Sequence, residues 1–385
     1  MNLLKGSYQD ELDYFFRTLN GNETHERIVS KQAFSSARKK VKSDAFVELN
    51  QDAIRFFENN YNPDKWHGFS LLAVDGSTEK VPKTKEVAEH FGELKSNQGD
   101  NCPLARISQM YDVLNDITID AIICPHSEGE RELASLHFIN LMPHDLVLLD
   151  RGYPAYWVFN LILNQDAQFC ARISKKWLVI REFIESGEIE QTISLEAPPS
   201  SFQKCRELGL DTKALKLRLI RVELDTGEPE VLITSLNDNE KYPVEIFGDL
   251  YHHRWPVEED YKVMKKRIEI GRWSGKSVLS VYQDFHAKVF TKNLTAILSY
   301  SAQKQIEKQV HERKYNYQIN FTQALSKMKD TVVLLFNRPR DAVMRILDKL
   351  HVIFTKTIEP IRPGRKFPRK HKIPQQFYIC YKPIR

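Results

Sequence analysis

Residues 69–78 read Phe-Ser-Leu-Leu-Ala-Val-Asp-Gly-Ser-Thr, an apolar run that ends in an acid and a glycine. A short apolar run bounded by Asp-Gly predicts a buried strand followed by a turn. The residues before it follow a helical period instead, because apolar side chains recur at three- and four-residue intervals between Phe15 and Phe57. The sequence therefore predicts a helical region over residues 1–65 and a sheet-containing domain that begins at residue 66.

A second apolar run also ends in an acid, in Leu146-Val-Leu-Leu-Asp150. Around it the pattern alternates between strands and helices. We predict strands over 105–111, 117–124, 146–150 and 167–173, and helices over 127–137 and 156–163. Alternation of this kind builds an α/β domain. Residues 66–174 are therefore predicted to form the first part of its core.

The segment 175–242 is predicted to be a β-rich insertion. Its strand candidates are 178–183, 215–224 and 231–236, separated by turn residues such as those of 225–229. Helical patterns return after it, so that 243–300 is predicted to complete the core and 301–385 to form a helical C-terminal region with a basic tail. The predicted fold class is α/β.

The composition excludes several classes of protein. Charged residues make up 28% of the 385 residues and aromatic residues 11%, as in an ordinary globular protein. No apolar run approaches the roughly 18 residues of a membrane span, and the acidic N-terminal residues do not resemble a signal peptide. We therefore expect a cytoplasmic protein with no membrane partner. Five scattered cysteines without a Cys-x-x-Cys pair argue against a disulfide framework or a zinc ribbon.

Two basic segments are candidates for contact with nucleic acid. The net charge is only +5, but residues 362–385 hold eight Lys or Arg and no acid. Cations in that tail can neutralise phosphates, although a solvated tail without a partner has the same composition. Residues 30–42 mix hydroxyl groups and cations in the same way, and they fit either a DNA-contacting helix or an ordinary solvated surface.

The densest group of chemical side chains is Tyr251-His-His-Arg254-Trp-Pro-Val-Glu258, followed seven residues later by Lys265. On one α-helix these four would share a face. Pro256 leaves a second interpretation open, because proline is favoured as the first residue of a helix. In that case Tyr251 and Arg254 approach Glu258 from a preceding turn or helix.

Asp75, Asp150 and Glu258 are the candidate catalytic and metal-binding residues. Two hard cations bridged by such acids activate an attacking hydroxyl and stabilise the leaving oxygen in phosphodiester displacement. Arg254 and Lys265 suit phosphate oxygens. Any single acid also fits a turn or helix cap. The neighbouring acids Glu259 and Asp260 are predicted to be solvated, Trp255 to pack, and His252 and His253 not to bind zinc.

This pattern resembles the DDE transposases of bacterial insertion sequences, in the insertion-sequence-four family. That family is marked by Tyr, two residues, Arg, three residues, Glu, six residues and Lys. The chain matches the signature in full with Tyr251, Arg254, Glu258 and Lys265. Upstream, Asp75 matches the first acid of the family and Asp150 the second, in an Asp-x-Gly-Tyr pattern.

The resemblance implies a ribonuclease H-like mixed sheet core interrupted by the β-rich insertion. It also implies the activity: Mg²⁺-dependent cleavage at transposon ends, with Mn²⁺ as a substitute, and strand transfer into target DNA. Double-stranded DNA with terminal inverted repeats is the implied partner, bound at the nucleoid by a homodimer in a synaptic complex. Arg254 and Lys265 would hold the end phosphates, and Tyr251 would contact DNA.

The resemblance leaves open the base-stacking residue, the cleavage route and two alternative functions. In some relatives an aromatic residue of the insertion stacks on a flipped base. Here Trp177 is the candidate, although packing at the rim of a core is the more ordinary role. Cleavage through a DNA hairpin is undecided. A ribonuclease H-like nuclease that only hydrolyses nucleic acid, and a domesticated DNA-binding protein without catalysis, are the alternative functions.

Overall fold

The computed structural model describes residues 7–24, 26–94, 101–223, 229–309, 315–335 and 338–362. The chain divides into two compact units. We call residues 62–78 and 106–262 the acid unit, because it contains the three candidate acids. Residues 1–61, 79–105 and 263–385 form the helical unit.

The acid unit is built on a mixed sheet. Its strands are β1 (Ser70–Lys80), β3 (Cys102–Asp112), β4 (Ile117–Pro125), β5 (Asp145–Leu149), β6 (Gln168–Arg172), β7 (Glu190–Leu195), β8 (Leu215–Glu223) and β9 (Pro229–Thr234). With the short strand β2 (Glu93–Leu94), the order in the sheet is β2-β3-β1-β5-β6-β9-β8-β7, and β4 also pairs with β3. Strands β1, β5 and β6 are parallel, whereas β6 to β9, β9 to β8 and β8 to β7 are antiparallel. The predicted α/β class is therefore confirmed.

Alternate residues of the central strands enter two different cores. Leu72 and Val147 belong to a core shared with helices α5 (Glu130–Phe138), α6 (Tyr156–Leu163), α7 (Leu178–Ser186) and α8 (Pro199–Glu207). Leu71 and Leu146 belong to the opposite core, which is shared with α9 (Ile246–His252) and with the first turn of α10 (Pro256–Lys266). Both faces of the sheet are thus covered, as expected for parallel strands that read as continuous apolar runs.

The strand predicted over 178–183 is wrong, because this segment lies in helix α7. Its buried residues Ile180 and Phe183 are three apart, which is helical spacing, and Gly187 ends the helix in the left-handed conformation. Its apolar β-branched residues suggested a strand, but the helix packs them on the core. Helix α8 was not predicted. Strands β8 and β9 confirm the other two predictions of the segment, and β9 joins the central sheet beside β6.

The first strand is also longer than predicted. We expected a turn at Asp75-Gly76, but β1 continues to Lys80. The strand predictions over 105–111, 117–124, 146–150 and 167–173 are confirmed to within a few residues, and helix α6 has the predicted bounds. The Asp-Gly pair is common in turns, but neither residue prevents an extended backbone.

The helical unit contains α1 (Tyr8–Asn20), α2 (Lys31–Arg38), α3 (Asp44–Asn60), α4 (Lys85–Phe91), α11 (Val278–Gln309), α12 (Phe321–Leu334), α13 (Arg340–Lys356) and the short strands β2 (Glu93–Leu94), β10 (Tyr317–Ile319) and β11 (Ile358–Pro360). The long helix α11 packs against α3, α12 and α13. Within the described ranges, no helix combines the length and apolar character that a membrane span requires. Cys102, Cys124, Cys170 and Cys205 are free thiols.

Candidate active site

The register of two parallel strands brings Asp75 and Asp150 level with each other. Every residue pair between β1 and β5 has the same offset, from Ser70↔Asp145 to Ala73↔Leu148. Continued for two residues, that offset places Asp75 opposite Asp150. Side chains alternate along a strand, so both acids are on the face occupied by Leu71 and Leu146, which α9 and α10 cover.

The loop after β5 holds the Asp150 carboxylate. The backbone N–H of Gly152 donates to Oδ1 of Asp150 at 2.7 Å. A Cβ on Gly152 would lie only 3.1 Å from that same oxygen, which explains glycine at this position. The Asp-x-Gly-Tyr pattern is therefore a carboxylate-holding turn at the end of the strand.

The signature residues lie on two helices, and the single-helix interpretation is wrong. Helix α9 ends at His252 and α10 begins at Pro256, so the alternative with proline at the first helical position is confirmed. The Tyr251 hydroxyl donates to the carbonyl of Leu149 at 3.4 Å, beside Asp150. Arg254, in the connection, is 9% exposed and forms an ion pair with Glu258 in the first turn of α10.

The charges of these residues act on Asp75. Burial raises the pKa of Asp75 to about 6; the Gly76 backbone hydrogen bond and Arg254 lower it, while the negative charges of Asp150 and Glu258 raise it further. The hydrogen bond to Glu258 raises the pKa of Arg254 although burial opposes it. Three acids and one arginine thus form one electrostatic cluster, with more negative charge than Arg254 alone can balance.

Asp75→Asn is expected to stabilise the ion-free protein at pH 8 and to leave its stability unchanged at pH 4. The folded pKa of about 6 lies above the ordinary 3.8. The native state therefore binds more protons between these values, and the stability contributed by Asp75 falls as the pH rises through about 6. The gain at pH 8 is up to about 3 kcal/mol. Urea unfolding of both proteins in a chelating buffer measures it, and equal parent-to-variant differences at the two pH values would contradict the raised pKa.

Two tyrosines missed by the sequence argument line the same cluster. The Tyr261 hydroxyl donates to the carbonyl of Asp75 at 2.9 Å. The Tyr153 side chain is 1% exposed, and its hydroxyl is the buried side-chain polar atom for which the described residues offer no hydrogen-bond partner. Burial raises the pKa of Tyr153, and the negative charges of Asp75, Glu130 and Asp150 raise it further. A buried donor without an acceptor points to a ligand at this place.

Tyr153→Phe is expected to leave the stability of the ligand-free protein unchanged or to raise it by about 1 kcal/mol, because it removes a buried hydroxyl without a partner. Tyr156→Phe is the matched control. Tyr156 is equally buried, but its hydroxyl donates to the carbonyl of Lys213, so its loss should destabilise the protein by about 1 kcal/mol. Equal losses in both variants, measured by urea unfolding without ions or DNA, would show that Tyr153 has a protein partner.

The side chains of Asp75, Asp150 and Glu258 are chemically suited to bind a hard cation. Within the described part of the chain, no three or more His, Cys, Asp or Glu side chains are gathered in a group able to hold a metal ion. The acids nevertheless offer only carboxylate oxygens, which Mg²⁺ prefers. Glu258 is engaged by Arg254, so binding of an ion by all three acids requires Glu258 to exchange that partner.

Some neighbours of the signature differ from prediction. Asp260 is buried rather than solvated, and it accepts from Nε2 of Gln109 at 3.1 Å. The helical rotation does turn it away from Glu258, but that side of α10 packs on β3 instead of facing water. Trp255 is 47% exposed, so its predicted packing role is wrong. Glu259 is exposed and pairs with Lys262, which confirms its predicted solvation.

The remaining candidates have contacts of their own. Lys265 belongs to the helical unit, where its charge lowers the pKa of Glu79, a carboxyl whose pKa is raised overall by burial. Trp177 packs partly buried against the core of the acid unit, its more ordinary role. In helix α2 the Arg38 guanidinium binds Asp284 at 2.9 Å, so this cation is engaged within the protein. The basic tail beyond residue 362 and the turn at 225–228 lie outside the described residues.

Comparisons with known proteins identify relatives of this chain. Transposase InsG for insertion sequence element IS4, from Escherichia coli strain K12, is 24% identical over 259 residues, which cover 65% of this chain and 56% of InsG. The putative transposase InsZ of the same organism is 26% identical over 175 residues, covering 43% of this chain and 56% of InsZ. The chain thus matches little more than half the length of these curated relatives.

A solved structure, the cryo-EM structure of a piggyBac transposase synaptic complex with hairpin DNA, has a TM-score of 0.43 and 11% sequence identity, over 90% of this chain and 73% of that one. The family profile for the transposase DDE domain matches residues 66–294, more than half of the chain. That range contains Asp75, Asp150 and Glu258. The chain therefore belongs to the family of transposase DDE domains.

Proposed function

We propose that the chain is a DNA transposase, which cuts phosphodiester bonds at transposon ends and joins the freed 3′-hydroxyl to target DNA. The observation that carries the proposal is the pairing of β1 with β5, which brings Asp75 level with Asp150 in a chain of the DDE family. The charges of Asp150 and Glu258 both act on Asp75, which supports the same site. Relatives named as transposases support the same activity.

Asp75, Asp150 and Glu258 are proposed as the catalytic and metal-binding residues. Divalent ions are typical of DDE domains, and we propose Mg²⁺, with Mn²⁺ as a substitute. When bound, a pair of such ions activates the attacking oxygen and stabilises the leaving oxygen. The strand register supports the assignment, since Asp75 lies on β1 and Asp150 directly follows the neighbouring strand β5. The excess of negative charge around Asp75 also favours a cation there.

Arg254, Tyr251 and Lys265 are proposed to bind DNA. The Arg254 guanidinium has a planar fork that suits a phosphate, and it lies within the acid cluster. If Glu258 held an ion, Arg254 would be free to meet a phosphodiester oxygen. Tyr251 lies beside Leu149 and Asp150, where its hydroxyl contacts the strand end. Lys265 supplies a point charge for an end phosphate.

The finer architecture is proposed from the family resemblance. We assign a ribonuclease H-like core to residues 66–174 and 243–300, an insertion to 175–242, a DNA-binding region to 1–65 and a helical region to 301–385. Parallel strands β1, β5 and β6, with α6 between the last two, support such a core. Partners are transposon terminal inverted repeats and target DNA, held by a homodimer at the nucleoid.

Reactions on DNA test the function. Terminal repeats taken from the DNA that flanks this reading frame would be incubated with the full chain and Mg²⁺. We expect cuts at the repeat ends, and joined products when a pre-cleaved end is supplied with target DNA. Hydrolysis without joining would identify a nuclease instead. Binding without any cutting would identify a DNA-binding protein without catalysis, and either result contradicts the proposal.

A further inference from the structure

A fourth carboxylate reaches the edge of the sheet where Asp75 and Asp150 lie. Glu130 begins helix α5, and its side chain lies over Gly76, the residue after Asp75. A Cβ on Gly76 would be 3.3 Å from Cγ and 3.5 Å from Oε1 of Glu130. A Cβ on Gly152, two residues after Asp150, would be 4.0 Å from Oε2 of Glu130. Two glycines, one directly after Asp75 and one two residues after Asp150, therefore leave room for the carboxylate of Glu130.

Arg106 forms an ion pair with the Glu130 carboxylate, just as Arg254 forms one with Glu258. Nη1 of Arg106, on β3, donates to Oε1 of Glu130 at 2.9 Å. Arg254 pairs with Glu258 in the same manner. Both glutamates thus have an exchangeable cationic partner, whereas Asp75 lies on strand β1 and Asp150 is held by the Gly152 turn after β5. Glu130 is about half exposed, so its side chain is able to rotate between partners.

Tyr153 supplies an independent sign of a ligand among these acids. Its hydroxyl is buried without a partner in the described residues, and the charges of Asp75, Glu130 and Asp150 all act on it. The site therefore has carboxylates in excess and a donor in need of an acceptor. A hydrated divalent cation satisfies both, because it brings positive charge and oxygen atoms that accept hydrogen bonds.

We propose that Glu130 is a fourth ligand of the divalent ion, that it acts with Asp75 and Asp150, and that Arg106 holds it until the ion binds. The proposal rests on the proposed function, because it takes the same ion site. It extends that site from three acids to four. Arg106 then competes with the ion for Glu130. Removing Arg106 should therefore change the affinity for the ion, whereas removing a purely structural ion pair should not.

Mn²⁺ binding to the full chain, measured by calorimetry without DNA, tests the proposal. Glu130→Gln should weaken binding by about tenfold or more, the effect of losing one charged ligand. Arg106→Gln should tighten binding by up to about fivefold, the worth of a partly exposed ion pair. If Arg106 acts through Glu130, Arg106→Gln should no longer tighten Mn²⁺ binding in the double variant Arg106→Gln/Glu130→Gln. If Arg106→Gln still tightens Mn²⁺ binding in the double variant, the arginine acts by simple charge repulsion, and the proposed competition for Glu130 is wrong.

Glu132→Gln is the matched control. It removes the same charge from the same first turn of α5, and Glu132 is exposed. It should bind Mn²⁺ as the parent does. Melting temperatures in a chelating buffer confirm that each variant is folded, and Glu130→Asp, which restores a shorter carboxylate, should recover part of the affinity. Parent-like Mn²⁺ binding by folded Glu130→Gln overturns the proposal.

Asp150→Asn separates this proposal from the proposed function. If Asp150→Asn loses Mn²⁺ binding while Glu130→Gln retains it, the three-acid site stands and the fourth ligand is excluded. If Glu130→Gln loses binding while Asp150→Asn retains it, Glu130 is a ligand, but the ion site of the proposed function is wrong. No measurable binding of Mn²⁺ by the parent contradicts both.

Discussion

Asp150→Asn is expected to reduce cleavage at a cognate DNA end by about 10³-fold or more, and to leave binding of that end almost unchanged. The amide keeps the size of the side chain and accepts the hydrogen bond from Gly152. It removes the negative charge that a catalytic ion requires. Ion-dependent stabilisation of transition-state charge is worth several kcal/mol, and about 4 kcal/mol corresponds to a thousandfold in rate.

Single-turnover cleavage and gel-shift titration measure the two effects. Asp166→Asn is the matched control, since Asp166 is exposed in the same unit and lies in a left-handed conformation that asparagine accepts. Its cleavage rate should equal that of the parent. Cleavage by Asp150→Asn within a few-fold of the parent would remove Asp150 from the catalytic site.

Glu258→Gln is the second large effect, with an expected loss of cleavage of similar size. The glutamine keeps a hydrogen-bond acceptor for Arg254 but is a poor ligand for a hard cation. Because residues that act as one unit are strongly non-additive, the double variant Asp150→Asn/Glu258→Gln should be no slower than the slower single variant. Independent roles would instead multiply the two losses.

Glu259→Gln provides the comparison for Glu258. Glu259 is the next residue of the same first turn, but its exposed carboxylate pairs with Lys262. The change removes the same charge from the same end of α10, so it controls for the helix dipole. Parent-like cleavage is expected. A loss in Glu259→Gln equal to that in Glu258→Gln would show that the charge of the helix end, rather than a ligand, controls the rate.

The strands that carry the first two acids were predictable from sequence. Apolar runs ending at Asp75 and Asp150 indicated buried strands, and both are central strands of the sheet. The pairing of β1 with β5 was not predictable, because the residues between them leave the register open. That register brings the acids level and decides whether they meet.

Errors arose where tertiary packing overrides local pattern. The β-branched residues of α7 suggested a strand, but the core selects its helical spacing at Ile180 and Phe183. Asp260 suggested a solvated helix face, yet Gln109 on β3 offers it a buried donor. Trp255 suggested a packing residue and lies half exposed. For α7 and Asp260 the deciding partner is distant in sequence.

Other features of the site differ in how far the local sequence indicated them. Pro256 indicated a break between α9 and α10, and this alternative is confirmed. The Arg254–Glu258 ion pair was not predicted, because the sequence pattern assigned Arg254 to phosphate and Glu258 to the ion. The sequence did not mark Glu130, and it marked Tyr153 only as the tyrosine of the Asp-x-Gly-Tyr pattern. The roles of both depend on Gly76, Gly152 and the acids around them.

Backbone cutting by bound iron tests the convergence of the three acids most directly. Fe²⁺ in place of Mg²⁺, with ascorbate and peroxide, generates hydroxyl radicals that cut the chain only close to the ion. We predict fragments that end near residues 75, 150 and 258 together, all suppressed by excess Mg²⁺ and absent from Asp150→Asn. Cuts near only one of these segments, or cuts that Mg²⁺ does not suppress, would contradict a shared ion site.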